Sequence, residues 1–270
     1  MPELPEVETT RLGIQPHLQG EQVHQVVIRN PAMRWPIEEQ VNRIAELKIQ
    51  SVKRRAKYIL LETPKGTLML HLGMSGSLRI SQPSIPFKKH DHFLLQLKNG
   101  TELRLHDPRR FGAVIWHEGE IENHPLISHL GPEPLEEHFH TDYLHQTCHG
   151  RKTTIKQHIM NATIVVGVGN IYASEALFRS GIHPRRQAGR ISRHRLQRLT
   201  TEIKSVLTEA ITQGGTTLRD FLNQDGEPGY FKQKLFVYDK ENQPCRKCPS
   251  SIKKIIISNR SSYYCPTCQK

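Results

Sequence analysis

The sequence predicts an α+β protein with an N-terminal β-sandwich and flanking helices, a helical second domain, and a small module with four cysteines near the C-terminal end. Three observations lead to this prediction. Short β-forming stretches, separated by Pro, Gly and Asn, run from Val23 to about Trp116. Beyond about residue 142, apolar residues recur with helical spacing. Two Cys-x2-Cys pairs follow near the end of the chain.

The first elements are a helix and a series of short strands. Residues 3–18 are predicted to be helical, because Pro2 and Pro5 suit the start of a helix. The strand-like stretches are VHQVVIRN, YILLETPKGTLMLHLG, HFLLQLKNGTELRLHD and FGAVIWHE. Their spacing is typical of a sandwich or a barrel. Within LLQLKNGTELRL, Asn99-Gly100 predicts a hairpin with a type I′ turn.

A domain boundary is predicted where the composition becomes acidic and rich in proline, at GPEPLEEHF (131–139). Helical stretches follow, with Ser192 as an N-cap and with Gly181 and Gly214-Gly215 as C-caps. Residues 216–232 read as a glycine-containing loop. The predicted domains are therefore 1–130 (β-sandwich), 131–142 (linker), 143–232 (helical, with the loop) and 233–270 (cysteine module).

The charge of the chain indicates a polyanionic partner. Lys and Arg number 38 against 26 Asp and Glu, which gives a net charge of +12. Residues 185–198 contain six arginines and no acid, and residues 233–270 contain eight basic residues against two acidic ones. Clusters of this kind favour phosphate contacts, although a basic excess can also serve solubility alone.

Membrane insertion and export are not expected from the sequence. We find no apolar run of the roughly 18 residues that a membrane span needs. The N-terminal segment, with Glu3, Glu6 and Glu8, resembles neither a secretory signal nor a mitochondrial leader. We therefore expect a cytoplasmic protein.

The strongest local motif is the set of four cysteines. Cys245-x2-Cys248 and Cys265-x2-Cys268 are separated by sixteen residues. This spacing places four thiolates around one zinc ion, which would be structural because no coordination position stays open. Disulfides and free thiols are the alternatives, and a cytosolic setting disfavours the disulfides. The remaining cysteine, Cys148, is expected to be an inert, partly buried thiol.

The N-terminal segment MPELPEVETT offers a possible nucleophile. Removal of Met1, which a following proline favours, would expose the secondary amine of Pro2 beside Glu3 and Glu6. An α-amine titrates near about 8, so part of it is neutral at physiological pH and can attack a sugar C1′. A nearby carboxylate can move the protons. Taken alone, the same residues usually mark only a helix start.

Eight blocks together resemble bacterial formamidopyrimidine-DNA glycosylases along the whole chain. They are MPELPEVET, RRAKYILLE (54–62), HLGMSGSLRI (71–80), HDPRRFG (106–112), VVGVGNIYASEALF (165–178), GGTTLRDF (214–221), DGEPGYF (225–231) and the four-cysteine ribbon. The resemblance implies a monomeric base-excision repair enzyme that removes 8-oxoguanine and formamidopyrimidines from double-stranded DNA and cleaves the strand by β,δ-elimination. It also implies that no redox cofactor is needed.

The resemblance assigns catalytic roles to five residues. Pro2 is the Schiff-base nucleophile, Glu3 the proton donor and Glu6 a supporting carboxylate. Lys57 is the proton donor for β-elimination and Arg260 the residue for δ-elimination. Without the resemblance, Lys57 would be read as a solubilising charge at a strand edge.

The resemblance also assigns DNA contacts, because a base must leave the stack before it can be excised. Met74, Arg109 and Phe111 would fill the gap, with Arg109 facing the orphaned cytosine. His71, His90, Arg151 and Asn170 would bind phosphates, with Asn170 in a helix-two-turn-helix motif. Taken alone, Met74 and Phe111 read more readily as core residues and Arg109 as a surface charge.

The sequence departs from the family pattern at a few positions, and two other functions stay open. Pro249 and Ser258-Asn259 replace expected glycines, which questions the reach of Arg260; Asn161-Ala162 and Asp239 are also unusual. One alternative is an endonuclease VIII-type glycosylase for oxidised pyrimidines. The other is a zinc-ribbon DNA-binding protein without catalysis.

Overall fold

The computed structural model describes residues 2–214 and 235–270. The described chain divides into two units, one formed by residues 2–128, 213 and 214 and the other by residues 129–212 and 235–270. Among these residues, no helix combines the length and the apolar character needed to cross a membrane.

The first unit contains one helix and eight strands. The helix is α1 (Leu4–Leu18). The strands are β1 (Val23–Ile28), β2 (Ser51–Arg55), β3 (Tyr58–Thr63), β4 (Gly66–His71), β5 (Ser77–Ser81), β6 (Asp91–Leu97), β7 (Glu102–His106) and β8 (Ala113–His117). They form two four-stranded antiparallel sheets, in the orders β1-β6-β7-β5 and β2-β3-β4-β8. Short 3-10 helices lie at Glu39–Ile44 and Ile121–Asn123.

One hydrophobic core holds the two sheets together. Phe93, Leu95 and Leu105 from one sheet belong to the same buried cluster as Ile59 and Leu70 from the other. Alternate strand residues point to the same face, so each sheet contributes one apolar face to a shared interior. Helix α1 covers this core with a few apolar residues, among them Ile14 and Leu18. The predicted β-sandwich is confirmed.

The second unit contains four helices and a C-terminal hairpin. The helices are α2 (Thr141–Cys148), α3 (Ile155–Ile159), α4 (Asn170–Ser180) and α5 (Arg193–Thr212), with a 3-10 turn at Ala188–Arg190. Gly181 closes α4 with φ 71°, a conformation that suits glycine. Ser192 Oγ accepts a bond from the Arg195 amide at 3.5 Å at the start of α5, so the predicted caps at both positions are confirmed.

The hairpin is formed by β9 (Lys253–Ile257) and β10 (Arg260–Tyr264). A small apolar cluster supports it, in which Val237, Ile252 and Tyr263 pack with Phe178 of α4. The buried carboxylate of Glu175 in α4 accepts bonds from the backbone amides of residues 236–238, at 2.8 to 2.9 Å. The cysteine module is therefore anchored on α4 by both apolar contacts and hydrogen bonds.

Some local predictions were wrong or incomplete. A type I′ turn needs positive φ at both Asn99 and Gly100, but only Gly100 has it (φ 87°). The amide of Gly100 donates to Leu97 O and that of Leu97 to Thr101 O, so the loop has three residues and glycine takes its last position. Strand β2 was missed because only Val52 of its residues is buried, and α2 was missed as well. The predicted loop 216–232 lies outside the described residues, and the predicted domain boundaries stay a prediction.

Candidate functional site

The predicted nucleophile, Pro2, lies just before α1, whose first turn carries two buried carboxylates. Pro2 is buried, and Glu3 and Glu6 are each only 2% exposed. Glu3 is the N-cap of α1, and its amide donates to Glu6 Oε2 at 2.8 Å in a reciprocal capping box. The capping box fixes the backbone that follows Pro2. Both predicted carboxylates therefore have defined positions in the first turn of the helix that follows Pro2.

Lys57 lies in a tight turn between β2 and β3. Arg55 pairs with Tyr58, so Ala56 and Lys57 form the two-residue loop, and Ala56 has φ 53°. Positive φ is costly for alanine, and the turn is held from outside. Arg54 Nη1 donates to Ala56 O at 2.9 Å, while Arg54 Nε binds Glu8 of α1, also at 2.9 Å. Glu8 thus joins α1, the helix that follows Pro2, to the turn of Lys57.

His71 is close enough to Lys57 for the charge of Lys57 to affect the pKa of the imidazole. Burial lowers the pKa of His71 to about 4, the positive charge of Lys57 contributes to the lowering, and Asp107 opposes the shift. His71 is therefore neutral at pH 7. Its Nδ1 accepts from the Gly73 amide at 3.1 Å, which leaves Nε2 to carry the proton. A neutral imidazole with an N–H donor can bind a phosphate oxygen.

Met74, Arg109 and Phe111 are presented by two neighbouring turns. Met74 and Phe111 are half-buried and Arg109 is exposed. The guanidinium of Arg109 lies 5.0 Å from the centre of the Phe111 ring, and that of Arg34 lies 5.6 Å from it. The structure therefore brings together the side chains predicted to enter the DNA, and Arg34 is an additional cation that sequence reasoning did not identify.

His90 lies in a group of three histidines. Its ring is 5.9 Å from that of His92 and 5.8 Å from that of His106. His106 Nδ1 is 2.9 Å from the buried carboxylate of Asp91, which also binds Arg79. The ring of His90 thus lies beside a sheet surface on which Asp91 binds both Arg79 and His106.

In the second unit, Asn170 belongs to a polar cluster at the start of α4. Lys156 of α3 is 2% exposed, and its Nζ donates to Asn170 Oδ1 at 2.6 Å and to Ser262 Oγ at 2.7 Å. Both Lys156 and Asn170 also donate to Ser261 O of β10. Lys156 was not predicted. The only signal in the sequence is a lysine between the apolar positions of a short amphipathic stretch.

Arg260 is the first residue of β10 and is exposed. It pairs with Ile257, so Ser258 and Asn259 form a two-residue loop, with φ 47° and 60°. Positive φ at both positions is typical of a type I′ turn, which fits the twist of a hairpin. Gln157 of α3 donates from its side chain to Ser258 Oγ. The missing glycine therefore does not prevent a tight turn, and Arg260 lies beside a 200 Å³ cavity that Lys156 and Asn161 also line.

Arg151 lies on the exposed surface that continues into the basic stretch. Its carbonyl accepts from the Gly189 amide at 3.0 Å, and the Ile155 amide donates to Arg186 O at 2.7 Å. A Cβ at Gly189 would lie 2.9 Å from Arg151 N, so glycine permits this approach. Arg151 and the arginines of residues 185–190 therefore share one surface region of the second unit.

The four cysteines form a site that fits zinc. Their Sγ atoms all lie within 4.8 Å of one another, with Cys248 and Cys265 3.4 Å apart and Cys245 and Cys268 3.9 Å apart. A tetrahedral ion with Zn–S bonds of about 2.3 Å requires sulfur atoms about 3.8 Å apart. By contrast, Cys148 is buried in an apolar setting that raises the pKa of its thiol to about 12, as expected for an inert residue.

Comparison with protein families matches nearly the whole chain. The formamidopyrimidine-DNA glycosylase N-terminal domain matches residues 1–114, and the H2TH domain of the same family matches residues 130–222. The zinc finger found in FPG and IleRS matches residues 242–270. The zinc site is thus supported both by the family match and by the geometry of the cysteines.

Proteins named formamidopyrimidine-DNA glycosylase are similar over the full length. That of Hydrogenovibrio crunogenus is 55% identical, with 100% of this chain and 97% of the relative covered, and that of Escherichia coli O6:H1 is 52% identical, with both chains fully covered. The Lactococcus lactis FPG protein, solved as a mutant with Fapy-dG-containing DNA, superposes with a TM-score of 0.93 at 29% identity over both full chains. The MutM (FPG) protein of Thermus thermophilus gives 0.89 at 36% identity, over 99% of this chain and 98% of its own. The chain therefore belongs to the formamidopyrimidine-DNA glycosylase family.

Proposed function

We propose that this protein acts as a monomer on oxidised purines in double-stranded DNA, with the amine of Pro2 as its nucleophile. Membership of the family makes it a DNA glycosylase and AP lyase of base-excision repair. The observation that carries the finer proposal is the position of Pro2, buried at the start of α1 beside Glu3 and Glu6. Relatives of similar fold have been solved with DNA that contains Fapy-dG or carbocyclic 8-oxo-G, which supports an oxidised purine as the substrate.

The first chemical step replaces one bond to C1′ by another. The Pro2 nitrogen, freed by loss of Met1, attacks C1′ of the damaged nucleotide, and the bond from C1′ to the base breaks. Glu3 supplies the proton that opens the sugar ring at its oxygen, and Glu6 holds the Glu3 backbone in place. The amine proton passes to the departing base, and the C1′–O4′ bond breaks as the nitrogen lone pair forms the C=N bond. The products are the neutral base and an iminium between Pro2 and C1′.

Strand cleavage follows from the acidity of the iminium. In β-elimination the C2′ proton is lost to water and the 3′ phosphate departs, with Lys57 as the proton donor to the leaving phosphate. In δ-elimination the C4′ proton is lost and the 5′ phosphate departs, and Arg260 neutralises the charge of that phosphate. His71 and His90 in the first unit, and Arg151 and Asn170 in the second, hold phosphates of the damaged strand. Met74, Arg109 and Phe111 fill the space that the flipped nucleotide leaves.

The zinc ion has a structural role in this scheme. When bound by Cys245, Cys248, Cys265 and Cys268, it cross-links the two ends of a segment that is too short to fold alone. The hairpin β9–β10 then places Arg260 at the end of a rigid turn, backed by Gln157. No redox chemistry is required of the ion.

Borohydride trapping tests the proposal directly. Processed protein is incubated with a duplex containing 8-oxoguanine opposite cytosine and with a matched thymine-glycol duplex. We expect a covalent adduct and strand cleavage chiefly on the purine lesion. Trapping chiefly on thymine glycol would indicate the endonuclease VIII-type activity, and no adduct on either would indicate DNA binding without catalysis. Pro2→Gly should retain lesion binding but lose most base release, and sedimentation of the free protein tests the monomer.

The basic surface around residues 185–190 predicts a salt-dependent affinity. Arg185, Arg186 and Arg190 belong to this surface. Replacing all three by Gln should make the slope of log K against log salt shallower by about 0.9 for each phosphate that is no longer neutralised. Anisotropy with a duplex that carries an uncleavable abasic analogue measures this slope. Lys65→Gln, an exposed charge in the first unit, is the control. An unchanged slope in the triple variant would remove this surface from the DNA interface.

A further inference from the structure

A buried carboxylate lies between the two turns that carry Met74, Arg109 and Phe111. Asp107 follows β7 and is 0% exposed. Its Oδ1 accepts from Ser75 Oγ at 2.8 Å and from the Arg109 amide at 3.3 Å. Its Oδ2 accepts from the Gly112 amide at 2.7 Å. One carboxylate therefore binds the residue after Met74, Arg109 itself and the residue after Phe111.

The two turns also touch through their backbones. Gly73 has φ 64°, and a Cβ there would lie 2.4 Å from the carbonyl carbon of Phe111 and 2.5 Å from the Gly112 nitrogen. The Arg109 amide is shared between Asp107 and Ser75 Oγ, which it approaches at 3.2 Å. The turns thus have no space to slide past each other while these contacts remain.

We propose that Asp107 is a positioning residue that joins the two turns into one rigid wedge, so that Met74, Arg109 and Phe111 enter the DNA together. This inference rests on the proposed function, since it assumes that these three side chains fill the gap left by the flipped nucleotide. Filling that gap must offset an unstacking cost of a few kcal/mol. Two turns that move independently would be displaced when the neighbouring bases stack again. Buried hydrogen bonds to a charged group resist such movement.

The chemistry of the contacts requires a carboxylate at this position. Three donors converge on it: the hydroxyl of Ser75 and the amides of Arg109 and Gly112. An asparagine has the same shape but offers one acceptor oxygen and one NH2 group. Its NH2 would face a donor on one of the two turns, and the hydrogen bond to that turn would be broken. Asp107→Asn therefore uncouples the turns with little change in volume.

The test compares substrates that do and do not need the wedge. Cleavage of single-stranded abasic DNA requires Pro2 and Lys57 but no opening of a base stack. Excision of 8-oxoguanine from duplex DNA requires these catalytic residues and also the wedge. For Asp107→Asn on the duplex, we expect the rates of single-turnover excision and of unstacking, followed by 2-aminopurine fluorescence, to fall by about ten- to a hundredfold. This is the loss expected when one buried hydrogen bond to a charged group is removed. Borohydride trapping on the single strand should stay within about twofold of the wild type, because the catalytic residues keep their positions. Equal losses on both substrates would overturn the proposal.

Two further variants separate positioning from general damage. Glu102→Gln alters another buried carboxylate, which pairs with Arg104 on β7, and it should show no difference between the two substrates. Ser75→Ala removes one donor to Asp107 and should give a smaller loss confined to the duplex. In the Asp107→Asn background, Ser75→Ala removes only the remaining bond from the Arg109 amide to Ser75 Oγ, so its effect should be smaller than in the wild type, where it also removes the bond to Asp107. If the fold-reduction in rate of the double variant equals the product of the two single reductions, Asp107 and Ser75 do not act through one shared link.

Failure of the proposed function gives a different result. If neither Asp107→Asn nor Phe111→Ala changes duplex unstacking, these side chains do not fill the gap, and the assignment of the wedge is wrong. If Phe111→Ala impairs unstacking while Asp107→Asn and Ser75→Ala do not, the wedge stands and the role of Asp107 is refuted.

Discussion

Removal of the buried ammonium group of Lys156 should loosen the second unit around Asn170. In Lys156→Met the apolar stem remains, while the donors to Asn170 Oδ1, Ser261 O and Ser262 Oγ, at 2.6, 3.2 and 2.7 Å, are removed. Leaving a buried polar group without its hydrogen-bond partner costs about 1–3 kcal/mol, because the group does not regain water. We take about 3 kcal/mol for the whole cluster, because Asn170 Oδ1 and Ser262 Oγ lose the ammonium donor while Ser261 O keeps the bond from Asn170.

Amide hydrogen exchange measures this change locally. A loss of about 3 kcal/mol corresponds to about a hundredfold faster exchange, since each 1.4 kcal/mol is tenfold. We expect this acceleration in α4 and β10 and none in the strands of the first unit. Lys152→Met, an exposed lysine just before α3, is the matched control and should change little. Unchanged protection of α4 and β10 in Lys156→Met would refute the view that this lysine holds the cluster together.

Three further outcomes are expected. A chelator should abolish the order of residues 242–270 and specific DNA binding while amide exchange in the β-sandwich stays unchanged; intact binding by zinc-free protein would contradict a structural role for the ion. Because burial lowers the pKa of both His71 and His158 from 6.5 to about 4, only the unfolded chain takes up their protons as pH falls through that window. The free energy of unfolding, measured with urea, should therefore drop between about pH 6.5 and 4, and His158→Gln should reduce the drop. Asn259→Gly should stabilise the β9–β10 hairpin by about 0.5 kcal/mol, seen as slower amide exchange, because glycine tolerates φ 60° at no steric cost; faster exchange would show that the asparagine side chain is needed.

Periodic and local features of this chain were predictable from its sequence. The β-sandwich follows from short β-forming stretches separated by Pro, Gly and Asn, and helix α1 from the prolines and acids at its start. The zinc site follows from spacing alone, because the ligands come in two pairs and two residues separate the cysteines of each pair. Such features depend on neighbours along the chain, so a single sequence contains the necessary information.

Contacts between distant residues could not be predicted. Lys156 bonds to groups 14, 105 and 106 residues away, and its own surroundings in the sequence look like an ordinary amphipathic helix. Asp107 likewise acts on Ser75, 32 residues earlier. The prediction of a type I′ turn at Asn99-Gly100 was wrong because this dipeptide is compatible with both a two-residue and a three-residue hairpin loop. The register of β6 against β7 selects the three-residue loop.

Strained backbone occurs next to several residues with predicted roles. Of the seven described non-glycine residues with positive φ, four lie next to residues with predicted roles: Ala56 before Lys57, Arg110 between Arg109 and Phe111, and the pair before Arg260; Glu46, Asp239 and Asn242 have no such neighbour. Such a conformation costs free energy, of the order of 1–3 kcal/mol for most residue types and less for asparagine, and persists only where other contacts hold it.

Those contacts are present at each of the three turns, and all come from outside the turn. Arg54 binds the carbonyl of Ala56, the amide of Arg34 binds the carbonyl of Arg110, and Gln157 binds the side chain of Ser258. A turn that is strained but held in this way has one stable conformation, because relaxation would break a bond that the rest of the fold supplies. The backbone at Lys57, Arg109 and Arg260 is thereby fixed in the free protein, so the roles proposed for these residues would require less ordering on DNA binding. The strain is thus a cost in stability that contributes to preorganisation of the site.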